Sequence, residues 1–367
     1  MATEDFTGYT IVGSYLANTD ANTITYTALP ANATAYDYKD YTVGHFSGQF
    51  QYECTINVTA ASAAGAYLLS VISDALTAPT LGDNSIGFYA NSSSTTQFSL
   101  VPYKTVAGVF AYNTVLNALS IGTPYYLTGG FYTSLSAYGS SALQVYSDAG
   151  KTTHIKTCYV NFAAAPAAGR YNIPVSSYSG GTAATLTGTL TYETITQPAA
   201  GIDLTTGAET DTGTGRLVVY ADCIVATALN IANGEAAKHV AIDEGAGFFG
   251  DYTISGVLNI ASFSSTAGAE KRFNILCVTD AAADALAAND LQGIAIQNNT
   301  ASVYTPYIHQ AAGGVDTFST SAGNLNFAQP YGFTLARSGT TLTMKIWNDL
   351  VLDANYEGTS QVGSTVT

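Results

Sequence analysis

Acid–base, metal and nucleophilic chemistry each need particular side chains at particular spacings, and this 367-residue chain brings few of them together. Hydrolysis of a glycosidic bond takes two carboxylates facing one sugar. On a strand that means acids at alternate positions, because alternate side chains share a face. The alternating segments carry single acids such as Glu53, and Asp243-Glu244 are adjacent, so a strand would point them to opposite faces. The histidines, His45, His154, His239 and His309, are far apart and read as turn or surface residues. The chain has no Gly-rich loop ending in Lys-Ser or Lys-Thr, no Gly-x-Ser-x-Gly elbow and no His-Glu-x-x-His. The expectation is that the chain is not an enzyme; no catalytic, cofactor-binding or metal-binding residue is assigned.

Cys54, Cys158, Cys223 and Cys277 show no Cys-x-x-Cys spacing, which argues against a structural zinc site. Buried thiols acting as small hydrophobes are favoured over disulfides, and the redox state stays open. Tyrosine is abundant, at 26 residues. Tyr36-Asp37-Tyr38-Lys39-Asp40-Tyr41 forms one group, and Tyr125, Tyr126, Phe131 and Tyr132 another. Such rings stack on sugars, anchor protein interfaces, or simply fill half-buried strands. The second half has fewer aromatics at the matching places (Ala241, Ile242), so a glycan site would belong to the first half.

The elements that would position these residues come as a weak repeat. Phe46 to Val58 aligns with Phe248 to Ile260, with three of 13 pairs identical. The apolar parity is kept: Phe50, Tyr52, Cys54, Ile56 and Val58 match Tyr252, Ile254, Gly256, Leu258 and Ile260. Each copy reads as a strand with one buried face. Tyr67 to Ala75 aligns with Phe273 to Ala281, and Ile86 to Asn91 with Gln292 to Gln297, both 206 residues apart (residues 86 and 292). Thr123 to Leu127 aligns with Gln329 to Phe333 at the same spacing, and Leu143 to Asp148 with Met344 to Asp349, 201 apart (143 and 344). A short helix over Ala281 to Asp290 competes with a loop, and the loop fits the repeat better.

Composition excludes several classes of partner. Charged residues make up 10% of the chain and the net charge is −15. Residues 1–197 hold ten acids against five bases, and residues 198–367 sixteen against six. No window clusters Lys and Arg as a phosphate-binding surface requires, so neither nucleic acid nor an anionic membrane is expected as a partner. No run approaches the about 20 apolar residues of a spanning helix. Met1 to Thr7 lacks the basic and apolar regions of a secretory signal, although the hydroxyl-rich surface suits an external setting.

Asp40-Tyr41-Thr42-Val43-Gly44-His45-Phe46-Ser47-Gly48-Gln49-Phe50, followed by an alternating strand, resembles the strand entry of concanavalin A-like (laminin-G-like) jelly-roll domains. Pro124-Tyr125-Tyr126-Leu127 and Leu143-Gln144-Val145-Tyr146-Ser147-Asp148 resemble later blocks of the same family. The resemblance implies an all-β protein of two tandem antiparallel β-sandwich domains, residues 1–197 and 198–367. It implies glycan binding, adhesion or scaffolding as the range of functions. Calcium is the one cofactor it leaves open, since Asp74/Asp280 and Asp148/Asp349 recur in both copies. Each of those aspartates stands alone, and an Asx-turn at a strand end is the favoured account.

About 50 residues follow Asp148 before the junction at Gln197-Pro198-Ala199-Ala200-Gly201, but only 18 follow Asp349. The second domain therefore lacks a counterpart of Arg170 to Tyr178. An exposed sheet edge is expected there, covered by a neighbouring subunit or by the chain's own N-terminal segment. Together these readings predict a structural protein of a virus (phage) particle, as a decoration, head-fibre or tail-fibre component that forms homo-oligomers, contacts other virion proteins and adheres to host-surface glycan. The alternative is a secreted bacterial carbohydrate-binding adhesin. The expected setting is the virion or the extracellular space.

Overall fold

The computed structural model describes residues 4–31, 33–76, 84–113, 115–178, 182–197, 208–210, 217–219, 223–226, 239–241, 251–262, 272–279, 291–298, 303–313, 315–350 and 358–367. The helix read over 281–290, the pair Asp243-Glu244, Asp280, residues 247–250 of the repeat and junction residues 198–201 lie outside them. The chain divides into two compact units, Met1–Ala200 and Gly201–Thr367.

Unit 1 is a sandwich of two antiparallel sheets. The first runs in the order β1 (Thr10–Val12), β4 (Tyr36–Asp40), β14 (Tyr171–Ser177), β6 (Tyr67–Ser73), β7 (Ser85–Ser92), β8 (Gln97–Val106) and β10 (Leu116–Ser120). An eighth strand, β9 (Val109–Tyr112), also pairs with β8. The second sheet runs β13 (His154–Asn161), β12 (Ser140–Tyr146), β11 (Tyr125–Tyr132), β5 (Phe50–Ala61), β15 (Thr185–Thr196), β3 (Thr23–Pro30) and β2 (Leu16–Asp20). The parity of β5 is the one the sequence displays. Phe50, Tyr52, Cys54, Ile56 and Val58 are buried, while Gln51, Glu53, Thr55 and Asn57 are only half-buried.

Those side chains meet Leu68, Ile72, Ile86, Phe88, Phe98 and Leu100 of the opposite sheet in one core. Tyr52 lies 6.1 Å from Phe88 ring to ring. It fits because its cross-strand neighbour is Gly129, where a Cβ would collide with the phenol. Each such aliphatic or aromatic burial contributes about 1.5–3 kcal/mol. One end of the sandwich is closed by the 3-10 turn Phe6–Gly8, whose Phe6 is fully buried against Tyr9 and Tyr192 at 5.0 and 5.5 Å.

Unit 2 repeats the central part of this plan. A three-stranded sheet runs β20 (Tyr252–Leu258), β26 (Tyr331–Ser338) and β27 (Thr341–Trp347). A five-stranded sheet runs β21 (Arg272–Thr279), β22 (Leu291–Asn298), β23 (Val303–Ala312) and β24 (Val315–Phe318), with β25 (Leu325–Asn326) also on β23. Ile294, Ile296, Tyr304, Ile308, Leu335, Met344 and Ile346 form its core. Two short ladders pair β16 (Ala208–Thr210) with β19 (His239–Ala241), and β17 (Leu217–Val219) with β18 (Ile224–Ala226).

The registers of the two units correspond. Cys54 lies opposite Leu127 as Gly256 lies opposite Phe333, and Val71 opposite Gly87 as Cys277 opposite Gly293. The ends differ. In unit 1 β14 continues the sheet beyond β6; among the described residues of unit 2, β21 pairs only with β22. The final residues of unit 2 lie along β27 instead, with Met344 and Val366 bonded in both directions at 2.9 and 3.0 Å. Cys54, Cys158 and Cys223 are buried.

Candidate functional site: a tyrosine-lined sheet face

The face of the eight-stranded sheet that points away from the core is itself apolar. On β6, Leu68 and Ile72 enter the core, whereas Leu69 and Val71 belong to a second cluster with Tyr89, Val101, Tyr103 and Ile173. All six are buried although their strand parity turns them outward. The cover is aromatic: Tyr36, Tyr38, Tyr67, Phe110, Tyr171 and Tyr178 pack over them as half-buried rings.

The rings form two continuous groups. Tyr89 lies 5.8 Å from Tyr67, 6.1 Å from Tyr103, 5.9 Å from Phe110 and 6.2 Å from Tyr112. Tyr178 extends this group from Tyr67 at 5.4 Å. Tyr36, Tyr38 and Tyr171 form the other, at 5.8 and 6.3 Å. Most pairs are tilted or edge-on, the arrangement aromatic quadrupoles favour. Tyr112 stands furthest into solvent of these rings, 53% exposed.

Polar groups border the rings. Arg170 lies over Tyr171 at 4.9 Å and holds Asp40 through two bonds of 2.7 Å. At the opposite end, Asn91 lies beside Tyr67 and Ser99 in register; its side-chain oxygen is buried without a hydrogen-bond partner, and Ser99 donates to Asn117 at 3.0 Å. Burial pushes the Tyr89 and Tyr103 phenols above their ordinary range, so they stay protonated donors.

The sequence groups separate in space. Tyr36 and Tyr38 join the face, while Asp37 between them is fully buried on the inner side. Burial pushes its carboxyl up to about 7, and the Tyr38 amide and Asn18, which pull it down, offset that only in part. Lys39 and Tyr9 bind buried Glu4 at 3.0 and 2.8 Å, and Asn172 donates to Tyr9 at 2.8 Å. The second tyrosine group is not a ligand surface. Tyr125 and Phe131 are core residues, Tyr132 is fully buried, and Tyr126 is half-buried.

The recurring aspartates tie loops. Asp74 accepts from the Asn84 amide and side chain at 3.0 and 2.7 Å. Asp148 accepts from the amides of Thr152 and Thr153, and Asp349 from the Ser360 amide and the Thr359 hydroxyl. His45 is an exposed turn residue stacked on Tyr41 at 4.6 Å, as its sequence setting predicts. His309 departs from that reading. It is 2% exposed on the outward side of β23, stacked on Phe318 at 4.3 Å, between Asn274 at 2.8 Å and Asp316 at 3.1 Å. Its register position, opposite Gly293 and Phe318, is that of Tyr103 opposite Gly87 and Tyr112. The two units thus place different chemistry on equivalent outward faces.

Among the described residues, no helix is long and apolar enough to cross a membrane. No family model matches the chain, and no curated protein matches its sequence. Among solved structures it is similar to a double mutant of the alginate lyase Aly36B in complex with alginate trisaccharide, at 11% identity and a TM-score of 0.33, covering 53% of this chain and 92% of that one. It is similar to a legume lectin-like domain from Entamoeba histolytica at 10% identity and a TM-score of 0.32, covering 50% and 88%. Domains LG4-5 of mouse laminin alpha1 match over 97% of this chain and 79% of that one, at 8% identity and a TM-score of 0.29.

The protein is all-β, built from antiparallel β-sandwiches of jelly-roll type, a fold similar to those concanavalin A-like and laminin-G-like structures. The expectation that it is not an enzyme is corrected by the alginate lyase. A polysaccharide lyase lies outside the hydrolase, zinc and phosphate motifs whose absence suggested it, so the missing motifs do not exclude an enzyme.

Proposed function

We propose that unit 1 recognises carbohydrate through the outer face of its eight-stranded sheet. The chain then serves as a glycan-recognising component of a virus particle, in a decoration, head-fibre or tail-fibre position. The observation that carries the reading is the layer of tyrosines on that face. An outward sheet face normally alternates with polar side chains, and here six buried apolar residues lie under half-buried rings. Rings offer flat apolar surfaces to the C–H faces of sugars, and the outer phenols meet their hydroxyls. The virion setting rests on composition: a weakly charged, acidic chain rich in hydroxyl side chains.

A glycan array with the purified chain tests the first part. Binding that Tyr38→Ala/Tyr171→Ala abolishes supports the face as the site, and undiminished binding by that variant rejects it. Immunolabelling of purified particles tests the second part. Labelled virions support it, whereas recovery of the protein only in the particle-free secreted fraction makes it an adhesin.

A further inference from the structure

We infer that the ligand of this face is an uncharged glycan; the inference rests on the carbohydrate reading above and names its chemical class. Recognition of uronate, sulfate or sialate groups calls for cations with free donors, most often Arg in bidentate geometry. Unit 1 holds five Lys and Arg side chains, and each is already bonded within the unit. Arg170, over the Tyr171 ring, gives two bonds to Asp40. Lys39 is bound to Glu4 at 3.0 Å and Lys151 to Glu53 at 2.7 Å. Lys156 donates to the Val115 carbonyl at 2.9 Å. Lys104 is buried, directed to the Asn161 carbonyl and 4.5 Å from the Phe162 ring.

The groups left to a ligand are therefore neutral: the hydroxyls of the outer phenols, the Ser99–Asn117 pair and ring faces. An anionic chain laid here would lose its hydration without gaining a counter-charge, and would meet a protein of net charge −15. A neutral polysaccharide loses only hydroxyl hydration, which the outer phenols and the Ser99–Asn117 pair replace.

The test is retention of the full chain on affinity gels containing neutral polysaccharides (dextran, xylan, mannan) and acidic ones (alginate, polygalacturonate), at low and high sodium chloride. Tyr112→Ala is run beside it, at a position exposed enough to be replaced without disturbing the core. The expected result is retention by a neutral gel, unchanged by salt and about three- to tenfold weaker in Tyr112→Ala. Retention by an acidic gel that salt abolishes and Tyr112→Ala weakens would overturn the uncharged class while leaving the face as a glycan site. Retention by no gel, or retention that Tyr112→Ala leaves intact, would overturn the carbohydrate reading of the face and this inference with it.

Discussion

The phenol oxygen of Tyr125 accepts a hydrogen bond from the backbone amide of Ser120 at 3.0 Å, and Tyr331 does the same for Asn326 at 3.1 Å. Both bonds tie the last short strand of one sheet to the first residue of the next strand in the other. They recur because the strand order and register recur. Tyr125→Phe keeps the ring and removes the acceptor, leaving a part-buried N–H unpaired. The expected cost is about 1–3 kcal/mol. Two transitions in a calorimetric scan would show it: Tyr125→Phe lowers that of unit 1 and Tyr331→Phe that of unit 2. A scan in which either variant melts like the parent would remove the bond from the stability of its unit.

Asp37 makes unit 1 sensitive to pH. Its carboxyl is pushed up to about 7 by burial, so the folded state holds a proton that the unfolded chain releases near its ordinary value. Below both values the site costs nothing. As pH rises from about 4 to about 7 stability is lost, at most about 4 kcal/mol in total. Glu4 works in the other direction. Burial alone would raise its carboxyl, but donors from Tyr41, Tyr9 and Lys39 outweigh burial and hold it below the ordinary range. Its contribution is therefore present above that range and lost in acid. Asp37→Asn is expected to be more stable than the parent at about pH 8, with the advantage vanishing near about pH 4. Denaturant titrations at the two pH values check it, and a variant less stable at both would refute it.

Asp148 spends both carboxylate oxygens on the Thr152 and Thr153 amides, and this lowers its carboxyl, chiefly through the Thr152 amide. Asp349 is engaged in the same way by Ser360 and Thr359. Saturating calcium is accordingly expected to leave both melting transitions where they are. Asp148→Ala should destabilise unit 1 by about 1 kcal/mol, as loss of a cap-like bond does. A calcium-dependent rise that Asp148→Ala abolishes would instead mark a metal ligand.

The repeat was legible because β strands with one buried face keep their parity through sequence drift. Tyr52, Cys54 and Ile56 against Ile254, Gly256 and Leu258 carry the register that pairs Cys54 with Leu127 and Gly256 with Phe333. The tyrosine face was only half legible. Tyr67-Leu68-Leu69-Ser70-Val71-Ile72 is apolar at both parities, so the period of two that separates inside from outside disappears. Tyr36 and Tyr38 stand beside acids in the sequence, yet Asp37 faces inward and only Asp40 reaches the rim, paired with Arg170. Tyr125 and Phe131 looked alike in sequence and fill the core. His309 is buried by partners 35 and seven residues away, a distance at which no local pattern warns of it.

The end of the chain decides how unit 2 presents its sheets. In unit 1, β13 pairs along β12, and the strands after it complete both sheets. In unit 2 residues 358–367 include those that bond to the edge of β27. Val362 donates to Ile346 and Asn348 to Ser360, both at 2.8 Å, and Val366 is buried beside Met344. The chain's own C-terminal residues thus do for β27 what a partner strand would do. Removing residues 358–367 is expected to lower the melting transition of unit 2 and leave that of unit 1 in place. It is also expected to raise the mass seen by light scattering, because an unpaired β27 recruits strands from other copies. A truncated chain with unchanged melting and mass would show that the tail adds nothing to unit 2. A parent oligomer that dissociates on truncation would show instead that the tail also serves a subunit contact.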